Sequence, residues 1–381
     1  KHYDRETAAQ TLEHVLKDLE EGMQLVGGSS DYDQPKFHFT RDAAAALGAR
    51  IALFSRNYND VIRYANMLLP TPTQHFALSY TDDTPVLNAD GSPAQGVDPN
   101  DAADQFMRSN LHDWRTYIKS GNPDQMGTDF TSASANANLL LTECVTLAFR
   151  EMVGTAYVRH AMERTAMVTL LTENVTGDPW IFQNVAYQWN GGRTYWLPKF
   201  YEDFKIDNPV AQTGVPYSKC ALLRLEEVLL ARAEAYAMLG NYDGALDDLN
   251  MFAACRIDDY AYGPNTLYKD KLTDYYTAQL NAPDHFINSA YNAGRFKAGD
   301  EGNVQKALIL TVLDFRRIEF LYEGQRYYDI LRWNIPVTHR DNSGQTSTLT
   351  PDDDRRILQI PQTAILAGVE ANPMNNIPQP W

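Results

Sequence analysis

Apolar residues in the run from Leu222 to Ile257 recur every three or four positions, at Leu222, Leu225, Leu229, Ala233 and Tyr236. The pattern breaks at Leu239-Gly240-Asn241 and resumes at Ala245, Leu249 and Phe252. Two amphipathic helices joined by a tight turn are predicted. Gly240 supplies the left-handed residue that ends the first helix, and Asp243 suits the dipole at the start of the second. The order Tyr236, Gly240, Tyr242, Ala245, Leu249 follows the second half of a tetratricopeptide repeat, in which small residues let paired helices approach. Glu226, Glu227 and Glu234 read as the solvated face of this hairpin, since carboxylates on one helix lack an opposing partner across a substrate.

The same period appears earlier. Ala8, Leu12, Val15, Leu16, Leu19 and Met23 share one face of a helix over 7–25 that stops before Gly27-Gly28. Its His14 has no second His or Cys one turn away and reads as an ordinary helix residue. Residues 40–69 give a second hairpin, with Thr40 as N-cap, an Ala-rich helix, a turn at Arg56-Asn57 and a helix ended by Pro70 and Pro72. Aligning Tyr58 with Tyr242 sets Val61 against Ala245 and Ala65 against Leu249, so the two hairpins are degenerate copies of one unit. Residues 102–120 and 136–172 are also predicted helical, with Met152, Met162 and Met167 as core filler.

Other stretches lack this period. Residues 71–104 are rich in Pro, Gly, Asp and Asn and read as a long surface loop. Its Asp98, Asn100, Asp101 and Asp104 lack the ordered spacing of a calcium loop, and no metal site is assigned. Between Asp178 and Tyr217, Trp180, Trp189 and Trp196 gather with Tyr187, Tyr195, Phe200 and Tyr201 around Asn190-Gly191-Gly192, a hairpin-type turn. Strand or irregular structure fits there. Aromatic faces held on loops stack on sugar rings or peptide side chains, and Asn190 and Arg193 suit hydroxyls or carbonyls. The alternative is that these rings fasten the loops to the scaffold. The candidate ligand set is Trp180, Tyr187, Trp189, Asn190, Arg193, Tyr195 and Trp196. Residues 258–304 form another polar excursion with many tyrosines, which walls the same site or packs on the scaffold.

Composition narrows the function classes. With 381 residues, 44% hydrophobic and 22% charged, the chain is ordinary globular material. A net charge of -16 disfavours nucleic acid and anionic membrane surfaces. Cys144, Cys220 and Cys255 are far apart in sequence and define neither a disulfide framework nor a zinc site. No run of eighteen apolar residues exists, and the chain opens without Met or a signal peptide. Histidine pairs, phosphate loops, dinucleotide glycines and nucleophile elbows are missing, so neither catalytic residue nor cofactor is assigned.

Residues 310–333 carry Arg317, Glu319, Glu323, Arg326, Asp329 and Arg332 at close helical spacing among Phe315, Phe320, Tyr322, Tyr327, Tyr328 and Trp333. An internal salt-bridge ladder locking one helix to the repeats is preferred over an acid–base pair at Glu319 and Glu323. This run resembles the motif of the SusD/RagB outer-membrane nutrient-binding lipoproteins, roughly E-R-R-x-E-F-x-x-E-G-x-R-x-x-D-L-x-R-W. It is matched by Arg316, Arg317, Glu319, Phe320, Glu323, Gly324, Arg326, Asp329, Arg332 and Trp333. The family's L-R-x-x-E-V-L-L-x-x-A-E-A helix is found at 223–235 and its D-L-E helix near Asp18. The Ala-rich hairpin at 43–69, Lys199-Phe200, and Ile360-Pro361 with Ile365 before an Asn-Pro tail complete the match. Phe315 stands where the family usually has Glu, and Leu225-Glu226 replaces Tyr-Ala.

The resemblance implies a mainly α, tetratricopeptide-like scaffold with long loop excursions and minor β structure. One domain spans 1–381, with hairpins at 7–70 and 222–257, binding-face excursions at 71–221 and 258–304, and a C-terminal helix and tail at 308–381. It implies a non-catalytic lid over a SusC-like TonB-dependent transporter, lipid-anchored on the extracellular face of the outer membrane of a glycan-foraging bacterium. The ligand is an oligosaccharide or, in some members, a peptide. The lipid anchor and the helices before Asp18 lie outside this chain, which reads as part of a longer protein. An all-helical glycoside hydrolase and a plain interaction scaffold are the rival classes.

Overall fold

A computed structural model describes residues 6–70, 110–112, 114, 122–145, 164–184, 186–188, 195–199, 202–258, 260, 264–280, 292, 294–340 and 344–374. The fold is mainly helical, built on a repeat scaffold. Thr7 caps α1 (Ala8–Met23) through a reciprocal capping box with Gln10. Thr40 caps α2 (Arg41–Phe54), which pairs with α3 (Tyr58–Ala65). The second hairpin is α6 (Leu225–Leu239) with α7 (Tyr242–Ala254), and α3 packs directly on α6.

The two hairpins repeat each other down to the backbone. Asn57 (φ -86, ψ 76) and Asn241 (φ -87, ψ 75) both cap their second helices with a side-chain oxygen. Each follows a left-handed residue, Arg56 at φ 59 and Gly240 at φ 85. The aligned pairs Val61 and Ala245, and Ala65 and Leu249, are all fully buried. Gly48 lets α2 approach α3, since a Cβ there would sit 2.8 Å from the Tyr64 ring. Arg50 of α2 then ties the hairpins together through Glu227 of α6 at 2.6 Å. The second helix of the first hairpin ends at Ala65, a turn earlier than Pro70.

Several sequence expectations are corrected. Residues 138–145 form β1 (Asn138–Val145), not helix, because an apolar run this short carries no decisive period and β5 (Thr213–Arg224) supplies the partner backbone. β5 is the central strand between β1 and β4 (Glu202–Asn208), and it runs straight into α6, so Leu222–Arg224 is strand. The helices α4 (Pro123–Phe130) and α5 (Arg164–Thr172) flank β1 in sequence. Met167 on α5 is buried, whereas Met152 and Met162, and the loop 71–104, lie outside the described residues.

The polar excursion at 258–304 contains α8 (Lys269–Leu280), which packs on α9 (Gly299–Glu319). There Tyr276 is buried and bonds Asp314 at 2.8 Å. The run 310–333 is two helices rather than one: α9 stops at Glu319, and α10 (Gln325–Trp333) restarts after Tyr322 (φ 69) and Gly324 (φ 77) turn the chain. A hairpin of β6 (Val337–Arg340) and β7 (Thr346–Leu349), then α11 (Gln362–Leu366), follow.

Candidate functional site

The aromatic segment is fixed at its two roots. On the incoming side, Trp180 pairs with Ile257 in an isolated β-bridge, and the Ile181 amide donates to the Arg256 carbonyl at 2.8 Å. The Asp258 amide returns the contact to Pro179 at 3.0 Å, and Asn184 donates to Asp258 at 2.7 Å. A short 3-10 turn at Ile181–Asn184 buries Ile181 and Phe182. Two strands then form a hairpin, β2 (Tyr187–Gln188) and β3 (Tyr195–Trp196), with Tyr187 opposite Trp196 and Gln188 opposite Tyr195. The turn read at Asn190-Gly191-Gly192 falls between these strands and outside the described residues. Trp189, Asn190 and Arg193 themselves lie outside the described residues.

On the outgoing side, Leu197 and Lys199 are buried. The Lys199 ammonium donates to Glu323 at 2.8 Å and to the Glu319 carbonyl. Burial pulls this ammonium below the ordinary lysine range, against the opposing pull of Glu323 and Glu319. A lysine so placed is an anchor rather than a ligand group.

Lys199 belongs to a larger ionic network under the hairpin. Arg224, the residue joining β5 to α6, donates to Glu319 at 2.8 Å and to Glu323 at 2.8 Å. Arg256 donates to Glu319 at 2.7 Å and to Glu226 at 3.0 Å. Glu226 also accepts from the His112 amide at 2.8 Å and faces its Nδ1 at 2.7 Å. Burial would raise the Glu226 carboxyl, but His112, Arg224 and Arg256 hold it well below the usual carboxylate range. Burial likewise opposes and Arg256 and Arg224 outweigh it at Glu319, which is also held low. Three carboxylates and three cations thus neutralise one another, all but Glu323 fully buried, which suits structural specificity rather than proton transfer.

A second branch links α10 to the repeats. Arg332 pairs with Glu234 of α6 and with Asp329 at 2.9 Å, and Arg316 donates to both Asp329 oxygens at 3.1 Å. The Arg316 guanidinium also stands 5.1 Å from the Phe320 ring. The ladder reading of this run therefore holds, across two helices. The solvated-face reading of Glu226, Glu227 and Glu234 does not, because all three are buried and paired.

Trp180 is corrected as well. It is 0% exposed and lies within 6 Å, centroid to centroid, of Phe182, Phe252 and Phe315, so it fills the core and has no face for a ligand. Sequence reasoning also passed over His112 and Trp114, both buried beneath the segment; Trp114 meets Phe182 edge-on at 4.7 Å. Among the described residues, no three His, Cys, Asp or Glu side chains are grouped to hold a metal. No helix among them is long and apolar enough to cross a membrane.

Comparison with known proteins agrees with this architecture. The model of the SusD family matches residues 169–356, and one described as starch-binding associating with outer membrane matches residues 1–53. A Bacteroides vulgatus ATCC 8482 structure named for sugar binding superposes with a TM-score of 0.54 at 17% identity, over 99% of this chain and 68% of its own. A SusD superfamily protein of Bacteroides thetaiotaomicron VPI-5482 gives 0.52 at 18% identity, over 97% and 67%. For another from the same organism, at TM-score 0.47 and 17% identity, the overlap is 87% of this chain and 60% of that one. This chain thus spans less than two thirds of that relative. No curated protein matches the sequence.

Proposed function

Because this chain belongs to the SusD-like family, we propose that it is a nutrient-binding protein that captures a glycan on its aromatic hairpin. It hands the glycan, without catalysis, to a SusC-like TonB-dependent transporter, from a lipid-anchored position on the outer face of the outer membrane. The ligand residues in this reading are Tyr187, Trp189, Asn190, Arg193, Tyr195 and Trp196; Trp180 is excluded as a core residue.

The observation that carries the reading is the fastening of both hairpin roots to buried structure, through Trp180–Ile257 on one side and Lys199–Glu323 on the other. A platform fixed in this way loses little conformational freedom when a ligand docks. Flat rings on such a platform offer stacking surface for sugar rings, while Asn190 and Arg193 offer hydrogen bonds to hydroxyls. The starch-binding description of the family matching residues 1–53 supports a glycan over other ligand classes. So does the net charge of -16, which suits a neutral polymer better than a polyanion. The non-catalytic reading is supported by the engagement of Glu226 and Glu319 in buried ion pairs and of Glu323 in a partly buried one.

Affinity electrophoresis through a panel of plant, microbial and host polysaccharides tests this, with a reducing-end assay on the same samples and a peptide mixture titrated by calorimetry. Retardation by one polysaccharide class without release of reducing ends is expected. Release of reducing ends, or binding to peptides alone, overturns the reading.

A further inference from the structure

Cysteines 76 residues apart in sequence meet on the three-stranded sheet, a juxtaposition that their spacing alone conceals. In the β1–β5 register Thr142 stands opposite Cys220, and Cys144 opposite Ser218. Cys144 and Cys220 are therefore diagonal neighbours on one face, because residues two apart along a strand point to the same side. Their sulfurs are 3.4 Å apart, against about 2.05 Å for a disulfide bond. Cys144 is on an outer strand and exposed, Cys220 is on the central strand and partly covered, and neither is disulfide-bonded. Cys144 also approaches the Ser218 carbonyl oxygen at 3.7 Å.

We propose that Cys144 and Cys220 form an oxidisable dithiol that closes into a cross-strand disulfide on exposure to a low-molecular-weight disulfide such as glutathione disulfide. The exposed Cys144 thiolate attacks the reagent, forming a mixed disulfide and expelling one glutathione thiolate. The Cys220 thiolate then attacks the Cys144 sulfur, forming the protein disulfide and expelling the second glutathione. Two protein thiols are oxidised and one external disulfide is reduced to two thiols, which take up the two protons. Burial and the neighbouring Cys144 thiol push Cys220 up to about 12, which leaves the exposed Cys144 as the first to attack the reagent; Cys220 reacts afterwards only because its partner sulfur is already adjacent.

The ring closed by this bond contains the whole excursion from 145 to 219, including the aromatic hairpin. Oxidation therefore fastens both ends of that excursion to one sheet and removes freedom from the unfolded chain. On the outer-membrane placement proposed above, the pair lies beyond the reductants of the cytosol.

The test treats the folded, reduced chain with glutathione disulfide, removes the reagent, and counts thiols while mapping peptides by mass spectrometry. The expected result is a monomer with two of three thiols lost, a Cys144–Cys220 peptide, and a thermal midpoint raised on the order of 5 °C and reversed by dithiothreitol. Cys255→Ser keeps this response, and Cys144→Ser and Cys220→Ser each abolish it. Retention of all three thiols, accumulation of a stable mixed disulfide, or dimers in place of the intramolecular bond overturns the proposal. Peptide mapping of the unaltered chain decides the matter even if a serine variant folds poorly.

Discussion

Arg256, just beyond the last turn of α7, grips Glu319 at the end of α9 with its Nε 2.7 Å from the carboxylate, and both side chains are fully buried. Removing one partner of such a pair strands the other in a low-dielectric interior. Glu319→Ala leaves Arg256 with Glu226 alone and Arg224 with less than its full set of carboxylates, and is expected to cost about 3–5 kcal/mol. Urea unfolding followed by circular dichroism measures this; a loss below 1 kcal/mol would show that the network is not the keystone of the hairpin base.

Trp180 is expected to behave as a core residue. Trp180→Ala opens a cavity among Phe182, Phe252 and Phe315 and costs about 3–5 kcal/mol. Ligand affinity per folded molecule is expected to stay within twofold of the unaltered protein. Calorimetry at a temperature where the variant remains folded checks the second part, and a tenfold loss would return Trp180 to the ligand surface.

Gly48 and Gly22 make a matched pair for the repeat packing. A methyl group at Gly48 meets the Tyr64 ring, so Gly48→Ala is expected to destabilise by about 1–3 kcal/mol. Nothing lies within 4 Å of the corresponding position at Gly22, so Gly22→Ala is expected to be neutral or stabilising by up to about 1 kcal/mol. Parallel thermal melts decide whether close helix approach is confined to the first of these sites.

Stability is expected to respond to pH from opposite sides. Burial, with the charges of Asp248 and Asp243, raises Asp247 from 3.8 to about 8. Its proton is held more tightly in the folded chain, so stability falls as pH rises from about 4 towards 8. Asp247→Asn should relieve that loss at pH 8 and change little at pH 4. Despite burial, Glu226 is held low by His112 with Arg224 and Arg256, and Glu319 and Asp329 by their arginines, so their contribution is present above the ordinary carboxylate range and disappears as pH falls below it. Melts of the unaltered chain and the Asn variant from about pH 2 to 9 check both signs.

The helical hairpins were legible because their caps and periods are local. Thr40, Asn57 and Gly240 act within four residues of where they stand, and the structure places each where the pattern puts it. What was misread depends on packing. In α6, ringed by α2, α3, α7 and α9, no side is left for water, so its glutamates pair inward; the scarcity of polar positions in LEEVLLARAEAYAML was the available signal. The departures from the family motif have the same origin. Phe315 joins Phe252 in the aromatic cluster around Trp180, and Glu226 brings a carboxylate to Arg224 and Arg256. Three tryptophans close in sequence signal a candidate surface but not which ring turns inward. The burial of Trp180 depends on residues far along the chain, its backbone bridge to Ile257 77 positions away and its ring contacts with Phe252 and Phe315.

The most direct test of the account is calorimetric titration of the polysaccharide found by electrophoresis into the unaltered protein, Trp196→Ala and Trp189→Ala. Each ring is expected to be worth about 1.4 kcal/mol, a tenfold loss in affinity, with the helical circular dichroism and thermal midpoint unchanged. Undiminished binding in both variants would contradict the central claim that the aromatic hairpin is the ligand surface.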